Sequence, residues 1–529
     1  MPFVTLDSVA VRSPDGRTLF DNLTLVLGRE RTGLVGRNGV GKTTLVRLIT
    51  GEQAPYAGSV GVTGRIAVLR QAHEPAPGAA VADLLGVAGP LARLERIERG
   101  AAEGDDFEAA DWTLPARLEA ALPDMGLADL PLERPAASLS GGEATRVALA
   151  ALIVAEPDLI VMDEPTNNLD AVGRAAVAAM LERWKGGALV VSHDRSLLRR
   201  MDRIVELSGL GARTYGGGYD LYAERKAEEE AAAARGLDEA QRVVARTARE
   251  AQEARLKKQK RDAAGLRARA RGDAPKMLLD ARAERAEGTG ARLGAIAERR
   301  QADAAAQLEE AEARVERIRR LAFDLPPSGL AAGKLVLGFD QVAFRWPGGP
   351  ALLNGLSFRI TGPERVAVTG PNGAGKTSLI RLAVGEAEPT GGTVVRGVRA
   401  AMMDQRTSVL RPGETLIEAY RRLNPGANDN AAHAALARFL FRNEAALKRV
   451  EALSGGERLR AALACVLTGP SPPQLVVLDE PTNHLDLESV EAVERALAGY
   501  DGALLVVSHD REFLDAIGID REICLRRPS

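Results

Sequence analysis

The string GRNGVGKT at residues 36–43 returns 334 residues later as GPNGAGKT at 370–377, and it does not return alone. LSGGE at 139–143 recurs at 453–457, MDEPTNNLD at 162–170 recurs as LDEPTNHLD at 478–486, and VVSHDR at 190–195 recurs at 506–511. Spacing is kept with the order. Twenty-nine residues separate Glu164 from His193 and Glu480 from His509, and Ser140 precedes Glu164 by nearly the same stretch as Ser454 precedes Glu480. Self-similarity of this kind means a duplicated domain. The copies differ in one stretch: Lys42 to Ser140 covers 98 residues and Lys376 to Ser454 only 78, which places about twenty extra residues within 75–135.

Each copy alternates helix-like stretches such as GGEATRVALAALIVA with short aliphatic runs such as LIVMD and ALVV. Continuous runs of Val, Ile and Leu bounded by polar turns fit strands buried on both faces, so each copy is expected to be an α/β domain with a parallel sheet. The 529 residues are enough for three or four units at about 150 per domain. The expected division is 1–221, 222–321 and 322–529. The middle segment turns to Ala, Arg, Lys and Glu with almost no aromatics, which favours helix by propensity and by charge pairing. Gly272, Asp273, Ala274 and Pro275 interrupt it, and Leu308, Val315, Ile318 and Leu321 keep a spacing near three and four. A hairpin of two long helices with a narrow apolar seam is the expectation.

The longest apolar run, Val147 to Ala155, has nine residues, about half of what crosses a bilayer as a helix. No membrane-spanning segment is expected, and the amino terminus lacks the basic patch and apolar stretch of a secretory signal. Cys465 and Cys524 are the only thiols, too few for a disulfide framework or a four-cysteine zinc site. A cytoplasmic location follows as the default. The net charge of −2 gives no reason by itself to expect a nucleic-acid partner, but it hides an uneven distribution. Residues 255–285 hold eleven Lys and Arg against four Asp and Glu, a local +7, which leaves about −9 for the rest.

GxxxxGK[ST] between a strand and a helix is a phosphate loop, because its glycines let backbone N–H groups close around the β- and γ-phosphates. RTGLVG and RVAVTG supply the strands, TLVRLI and SLIRLA the helices. Gly36, Asn38, Gly39, Gly41, Lys42, Thr43 and Thr44 then form one cradle, and Gly370, Asn372, Gly373, Gly375, Lys376, Thr377 and Ser378 the other. The lysines belong on the β/γ-phosphates and the hydroxyls of Thr43 and Thr377 on Mg²⁺. Asp163 and Asp479 end buried strands and can hold the magnesium shell. Glu164 and Glu480 are placed to act on the attacking water. His193 and His509, at equal distances from those glutamates, are candidates for contact with the γ-phosphate. LSGGE opens a helix and so offers an anion site, or no more than a capped helix if taken alone.

Together these motifs resemble the ATP-binding-cassette family over about 430 of the 529 residues. That resemblance implies two cassettes facing head to tail on one chain, each finishing the other's nucleotide site. One composite site would join Lys42, Thr43, Gln71, Asp163, Glu164 and His193 to Ser454 and Gly456. The other would join Lys376, Thr377, Gln405, Asp479, Glu480 and His509 to Ser140 and Gly142. Gln71 and Gln405 are implied as groups that meet both the metal and the lytic water. An aromatic residue that stacks on adenine is implied at Trp346, where the first copy has Ser13; the histidine after EPTN is present as His484 but is Asn168 in the first copy. ATP and Mg²⁺ are the implied ligands.

Two cassettes on one chain, the EPTN-x-LD strings and a charged linker of about 100 residues are similar to the F subfamily. This similarity implies an ATPase acting on the ribosome, its linker reaching rRNA and tRNA, in translation regulation, rescue or ribosome protection. Lys257, Lys258, Lys260, Arg261, Arg267, Arg269 and Arg271 are the expected RNA-contacting residues. With no aromatics between them, phosphate contacts are expected to outweigh base stacking. A DNA-associated ATPase and, behind it, the ATPase subunit of a membrane transporter are the alternatives. In the first copy a reduced arm, or none, is expected from the extra residues.

Overall fold

A strand buried on both faces must be apolar throughout, and the aliphatic runs of both copies occupy such strands. The computed structural model of the chain describes residues 2–12, 16, 18–69, 76, 78–167, 169–209, 211–271, 295–296, 298–311, 325–404, 407–439, 441–483 and 485–526. The first copy contains β1 (Val4–Arg12), β2 (Thr18–Leu27), β3 (Arg31–Val35), β4 (Ala57–Val62), β5 (Ile66–Leu69), β6 (Leu159–Asp163), β7 (Gly187–Val191), β8 (Arg203–Ser208) and β9 (Gly211–Gly216). Strands run in the order β5-β6-β7-β3-β8-β9, all neighbours parallel except the last pair, while β2-β1-β4 form a separate antiparallel sheet.

The second copy repeats the plan with β10 (Leu335–Arg345), β11 (Ala351–Thr361), β12 (Arg365–Thr369), β13 (Gly391–Arg396), β14 (Ala400–Met403), β15 (Leu475–Asp479), β16 (Ala503–Val507) and β17 (Arg521–Cys524). Its parallel sheet is ordered β14-β15-β16-β12-β17 and its antiparallel sheet β11-β10-β13. Register repeats as well, since Asp163 lies opposite Val191 and Asp479 opposite Val507. Each phosphate loop leaves the sheet at the carboxyl end of a strand (β3 or β12), where ligands of open parallel sheets bind. Phe20, Leu45 and Ile49 are among the residues that pack the first loop's helix between the two sheets, and Phe339, Leu379 and Ile380 do the same in the second copy.

The extra length of the first copy is confined to one place. The chain bridges Ala80 to Pro135 in the first copy and Thr415 to Arg449 in the second, and the segment enclosed by the first bridge is the longer. Helix Ala88–Glu98 and the 99–113 loop lie within that longer segment. The loop folds back because Asp106, buried, accepts hydrogen bonds from Arg93 at 3.3 Å, from Arg96 at 2.7 and 3.1 Å and from the Glu103 N–H at 3.1 Å.

The chain divides into two bodies, residues 1–222 with 321–529, and residues 223–320. Both copies belong to the first. The other is entered by one helix that runs from Tyr219, in the first body, to Arg271 over 53 residues, about 80 Å at 1.5 Å per residue, starting three residues before the expected boundary. Residues 298–311 are helical too. The expected turn at Gly272–Pro275 and the seam residues Val315, Ile318 and Leu321 lie outside the described residues. Among the described residues, no helix is long and apolar enough to cross a membrane.

Candidate nucleotide sites

Backbone conformation makes the two cradles. Gly36, Gly39 and Gly41 have φ of 151°, 80° and 106°, and Gly370, Gly373 and Gly375 have 141°, 81° and 91°. Side chains are excluded as well as disfavoured: a Cβ on Gly36 would sit 2.4 Å from the Leu207 carbonyl oxygen, and one on Gly370 2.5 Å from that of Leu525. Lys42 Nζ donates to the carbonyls of Gly36 (2.6 Å) and Arg37 (3.3 Å), and Lys376 Nζ to those of Gly370 (2.8 Å) and Pro371 (3.2 Å). Burial lowers the pKa of both ammonium groups. Glu164, Asp486 and Asp163 oppose that for Lys42, and Glu480, Asp170 and Asp479 for Lys376.

The carboxylate, hydroxyl and imidazole groups converge behind each loop. Thr43 Oγ1 donates to Asp163 Oδ2 at 3.1 Å, and Thr377 bonds Asp479 in the same way. A hydroxyl and a carboxylate held together are hard oxygen donors that suit Mg²⁺. Glu164 and Glu480 adopt the left-handed conformation, φ 50° and 48°, at a cost of about 1–2 kcal/mol each. Their N–H groups donate to Val191 O at 2.8 Å and Val507 O at 2.9 Å, which keeps them in that conformation. His193 Nε2 lies 3.2 Å from Glu164 Oε1, and His509 Nε2 lies 3.4 Å from Glu480 Oε1 and 3.0 Å from Lys376 Nζ.

Desolvation dominates the acid–base state of these groups. It raises Glu164, against the pull of Lys42, and lowers His193, with Lys42 adding to the effect. Glu480 rises to about 7 through burial, against the fields of Lys376 and then Arg174; His509 falls to about 4 through burial and the same two cations. Both ring nitrogens of His193 and Oε2 of Glu480 are buried with no hydrogen-bond partner of suitable geometry. Polar atoms so placed, behind a glycine cradle and a buried lysine, fit a triphosphate and a water molecule.

Each pocket borrows residues from the other copy. Asp486 Oδ2 accepts from the Asn38 N–H at 2.8 Å, and Asp170 Oδ2 from the Asn372 N–H at 3.3 Å. A cleft of about 430 Å³ around Gly373, Lys376, Thr377, Glu480 and His509 has Leu169 of the first copy in its wall. Arg37 grips Glu488 with bonds of 2.6 and 2.9 Å. Sequence reasoning gave Asp170 and Asp486 no role, although each closes a repeated EPTN-x-LD string; that repetition was the available clue. Arg37 had none, because its counterpart is Pro371.

Ser140 and Ser454 are helix N-caps. Each hydroxyl accepts from the N–H three residues on at 3.3 Å, and Glu143 and Glu457 return the bond to the serine N–H. Glu143 falls to about 2 as a result, mainly through that N–H bond. Among the described residues no hydrogen bond joins either serine to the opposite phosphate loop. Gly456 is tightly packed, since a Cβ there would meet Ser489 Oγ at 2.6 Å, whereas Gly142 has open space. Trp346 donates from Nε1 to Ser378 Oγ at 3.2 Å and stands edge-on to Phe344 at 5.0 Å, which fixes its ring beside the loop's helix. Thr44 is half-buried on the first helix. Gln71, Gln405, Ser13, Asn168 and His484 lie outside the described residues. Lys257, Lys260 and Arg267 are exposed on the long helix, and the side chains of Lys258, Arg261, Arg269 and Arg271 lie outside the described residues.

Known proteins resemble the chain across both copies. The profile of a family described as ABC transporter matches residues 21–167 and again 353–483. The tylosin resistance ATP-binding protein TlrC of Streptomyces fradiae is 34% identical, over 94% of this chain and 93% of that one. The energy-dependent translational throttle protein EttA of Mycobacterium tuberculosis is 32% identical, over 96% and 88%. ABC transporter F family member 5 of Arabidopsis thaliana is 29% identical, over 96% and 72%.

Proposed function

The chain belongs to the ATP-binding-cassette family, in its F subfamily, and is an ATPase; on that premise we propose that it spends ATP on a conformational cycle at the ribosome. The observation that carries this reading is the pairing of two phosphate pockets across one interface, with Asp170 and Asp486 each reaching the opposite loop. Nucleotide bound in both loops draws the cassettes together, and hydrolysis releases them.

Lys42 and Lys376 hold the β- and γ-phosphates, with loop N–H groups around them. Thr43 with Asp163, and Thr377 with Asp479, hold Mg²⁺, which when bound neutralises phosphate charge; Gln71 and Gln405 complete that role by resemblance. Glu164 and Glu480 orient the attacking water and take up its proton. His193 and His509 face the γ-phosphate from the ends of β7 and β16. Ser140 with Gly142 and Ser454 with Gly456 close on the nucleotide of the opposite cassette, and Trp346 stacks on adenine in the second site. Cassette pairing is intramolecular, so the working unit is a monomer.

The ribosomal half of the reading rests on EttA, whose name describes a translational throttle, and on the +7 segment at 255–285. Lys257, Lys258, Lys260, Arg261, Arg267, Arg269 and Arg271 contact rRNA or tRNA phosphates, and a cytoplasmic location goes with that partner. A chain carrying both Glu164→Gln and Glu480→Gln tests it. ATP turnover falls at least a hundredfold, in line with loss of a general base, while the protein pellets with ribosomes in ATP and is released as salt rises. Sedimentation free of ribosomes at low salt overturns the ribosomal assignment and leaves the ATPase assignment standing.

A further inference from the structure

Arg174 belongs to none of the repeated motifs, yet it stands where the two pockets meet. It lies on helix Ala171–Arg183, one turn beyond Asp170. Its Nε donates to the Leu169 carbonyl at 3.3 Å and its Nη1 to Asp194 Oδ2 at 3.1 Å. Leu169 is part of the wall of the Lys376 cleft, Asp170 receives the Asn372 N–H, and Asp194 follows His193 directly. One planar guanidinium therefore ties the segment after the first site's histidine to the segment that closes the second site. Its charge also acts on Glu480 and His509. The equivalent position in the second cassette is Val490, buried, which supplies neither bond nor charge; Asp510, the counterpart of Asp194, caps the Phe513 N–H at 3.1 Å.

We propose that Arg174 is a positioning residue for hydrolysis at the Lys376 site, provided by the opposite cassette, and that the Lys42 site has no equivalent. By holding the Leu169 carbonyl, it fixes the backbone that presents Asp170 to Asn372 and Leu169 to the cleft. Displacing a reacting geometry by about an ångström can cost on the order of a hundredfold in rate. Losing one brace of a wall that keeps its other contacts should cost about tenfold on that scale. Lysine in its place keeps the charge but lacks the fork that reaches two acceptors at once.

The inference rests on Glu164 and Glu480 as the hydrolytic carboxylates, so the full-length chain is measured in two backgrounds. With Glu164→Gln only the Lys376 site hydrolyses, and with Glu480→Gln only the Lys42 site does. First-turnover rates from rapid quench read each site before the cycle couples them. Arg174→Val lowers the maximal rate about tenfold in the Glu164→Gln chain, with half-saturating ATP unchanged within about twofold. In the Glu480→Gln chain it changes the rate less than about twofold. Arg174→Lys recovers part of the loss. Should Asp194 without its arginine prevent folding, Arg174→Val with Asp194→Asn is used instead, since asparagine keeps the cap on the Leu197 N–H. Equal losses in both backgrounds, a change only in half-saturation, or no change overturns the inference. Undiminished turnover in the double Gln chain overturns the reading beneath it instead.

Discussion

The Lys42 and Lys376 sites share a backbone and differ in what joins them across the interface. Loop glycines with φ of 151°, 80° and 106° in one meet 141°, 81° and 91° in the other, and the left-handed glutamates have 50° and 48°. The strand-end registers match residue for residue. At the Lys42 site, Arg37 grips Glu488 and Asp486 holds the Asn38 N–H at 2.8 Å. At the other site, Pro371 and Val172 occupy the positions of Arg37 and Glu488, Val172 is 63% exposed, and the Asp170 bond is 3.3 Å. Phosphate geometry restrains the backbone of both loops equally, whereas interface side chains answer only to their partners. Three ion pairs across the interface also share one polarity: Arg37, Arg195 and Arg199 come from the first cassette and Glu488, Glu494 and Glu512 from the second. Two first cassettes facing each other would bring arginines together without these acids, so the charges favour pairing of unlike cassettes over pairing of two first cassettes.

The sharpest way to break the comparison is to remove equivalent arginines. Arg195 makes a bidentate pair with Glu494 at 2.9 and 3.0 Å, with side chains 12% and 11% exposed. Its counterpart Arg511 pairs with Glu522 inside its own cassette, at 67% and 38% exposure. Arg195→Ala leaves a buried carboxylate uncompensated and should cost about 3–5 kcal/mol. Arg511→Ala should cost roughly 1 kcal/mol or less. Denaturant unfolding followed by tryptophan fluorescence checks both, and similar costs would show that the interface is not one-sided in energy.

What a single sequence could reveal divides along the same line. The phosphate loops, the strands ahead of them, the helices behind them and the Asp-Glu strand ends are local patterns whose spacing is written into neighbouring residues. Arg37 and Glu488 lie 451 positions apart, and nothing in either segment announces the other. Such contacts depend on how two finished domains pack. The left-handed glutamates were illegible for another reason: the conformation is imposed by bonds to Val191 and Val507, residues of a neighbouring strand. LSGGE could be read as an anion site or as a capped helix from its residues alone. The structure shows the capping box in both copies, and that capping does not exclude the other role.

A smaller effect sharpens the contrast between the two ends proposed to hold the base. Trp346 is oriented by Ser378 and Phe344, while the first cassette has serine at the aligned position. Trp346→Ala should weaken ATP binding at the Lys376 site by about 0.5–1.5 kcal/mol, roughly two- to twelvefold. The Lys42 site should be unaffected. Binding of a fluorescent ATP analogue to chains with the other phosphate loop disabled by Lys→Ala checks this, and equal weakening of both sites would place the ring outside base recognition.

The smallest expected effect concerns the contact most visible in the structure. Arg37 and Glu488 make a short two-point pair, yet their side chains are 59% and 41% exposed, and water screens them. A double-mutant cycle with Arg37→Ala and Glu488→Ala, read as ATP-dependent closure at the Lys42 site, should give a coupling of about 0.2–1 kcal/mol that shrinks as salt rises. Placing the pair at the other site by Pro371→Arg with Val172→Glu tests whether the contact or its surroundings set the difference. If the transplanted pair couples as strongly as the native one, side-chain identity alone distinguishes the two closures. Absence of coupling would mean that the longer bond between Asp170 and the Asn372 N–H already marks a side held too far open for a surface pair to form.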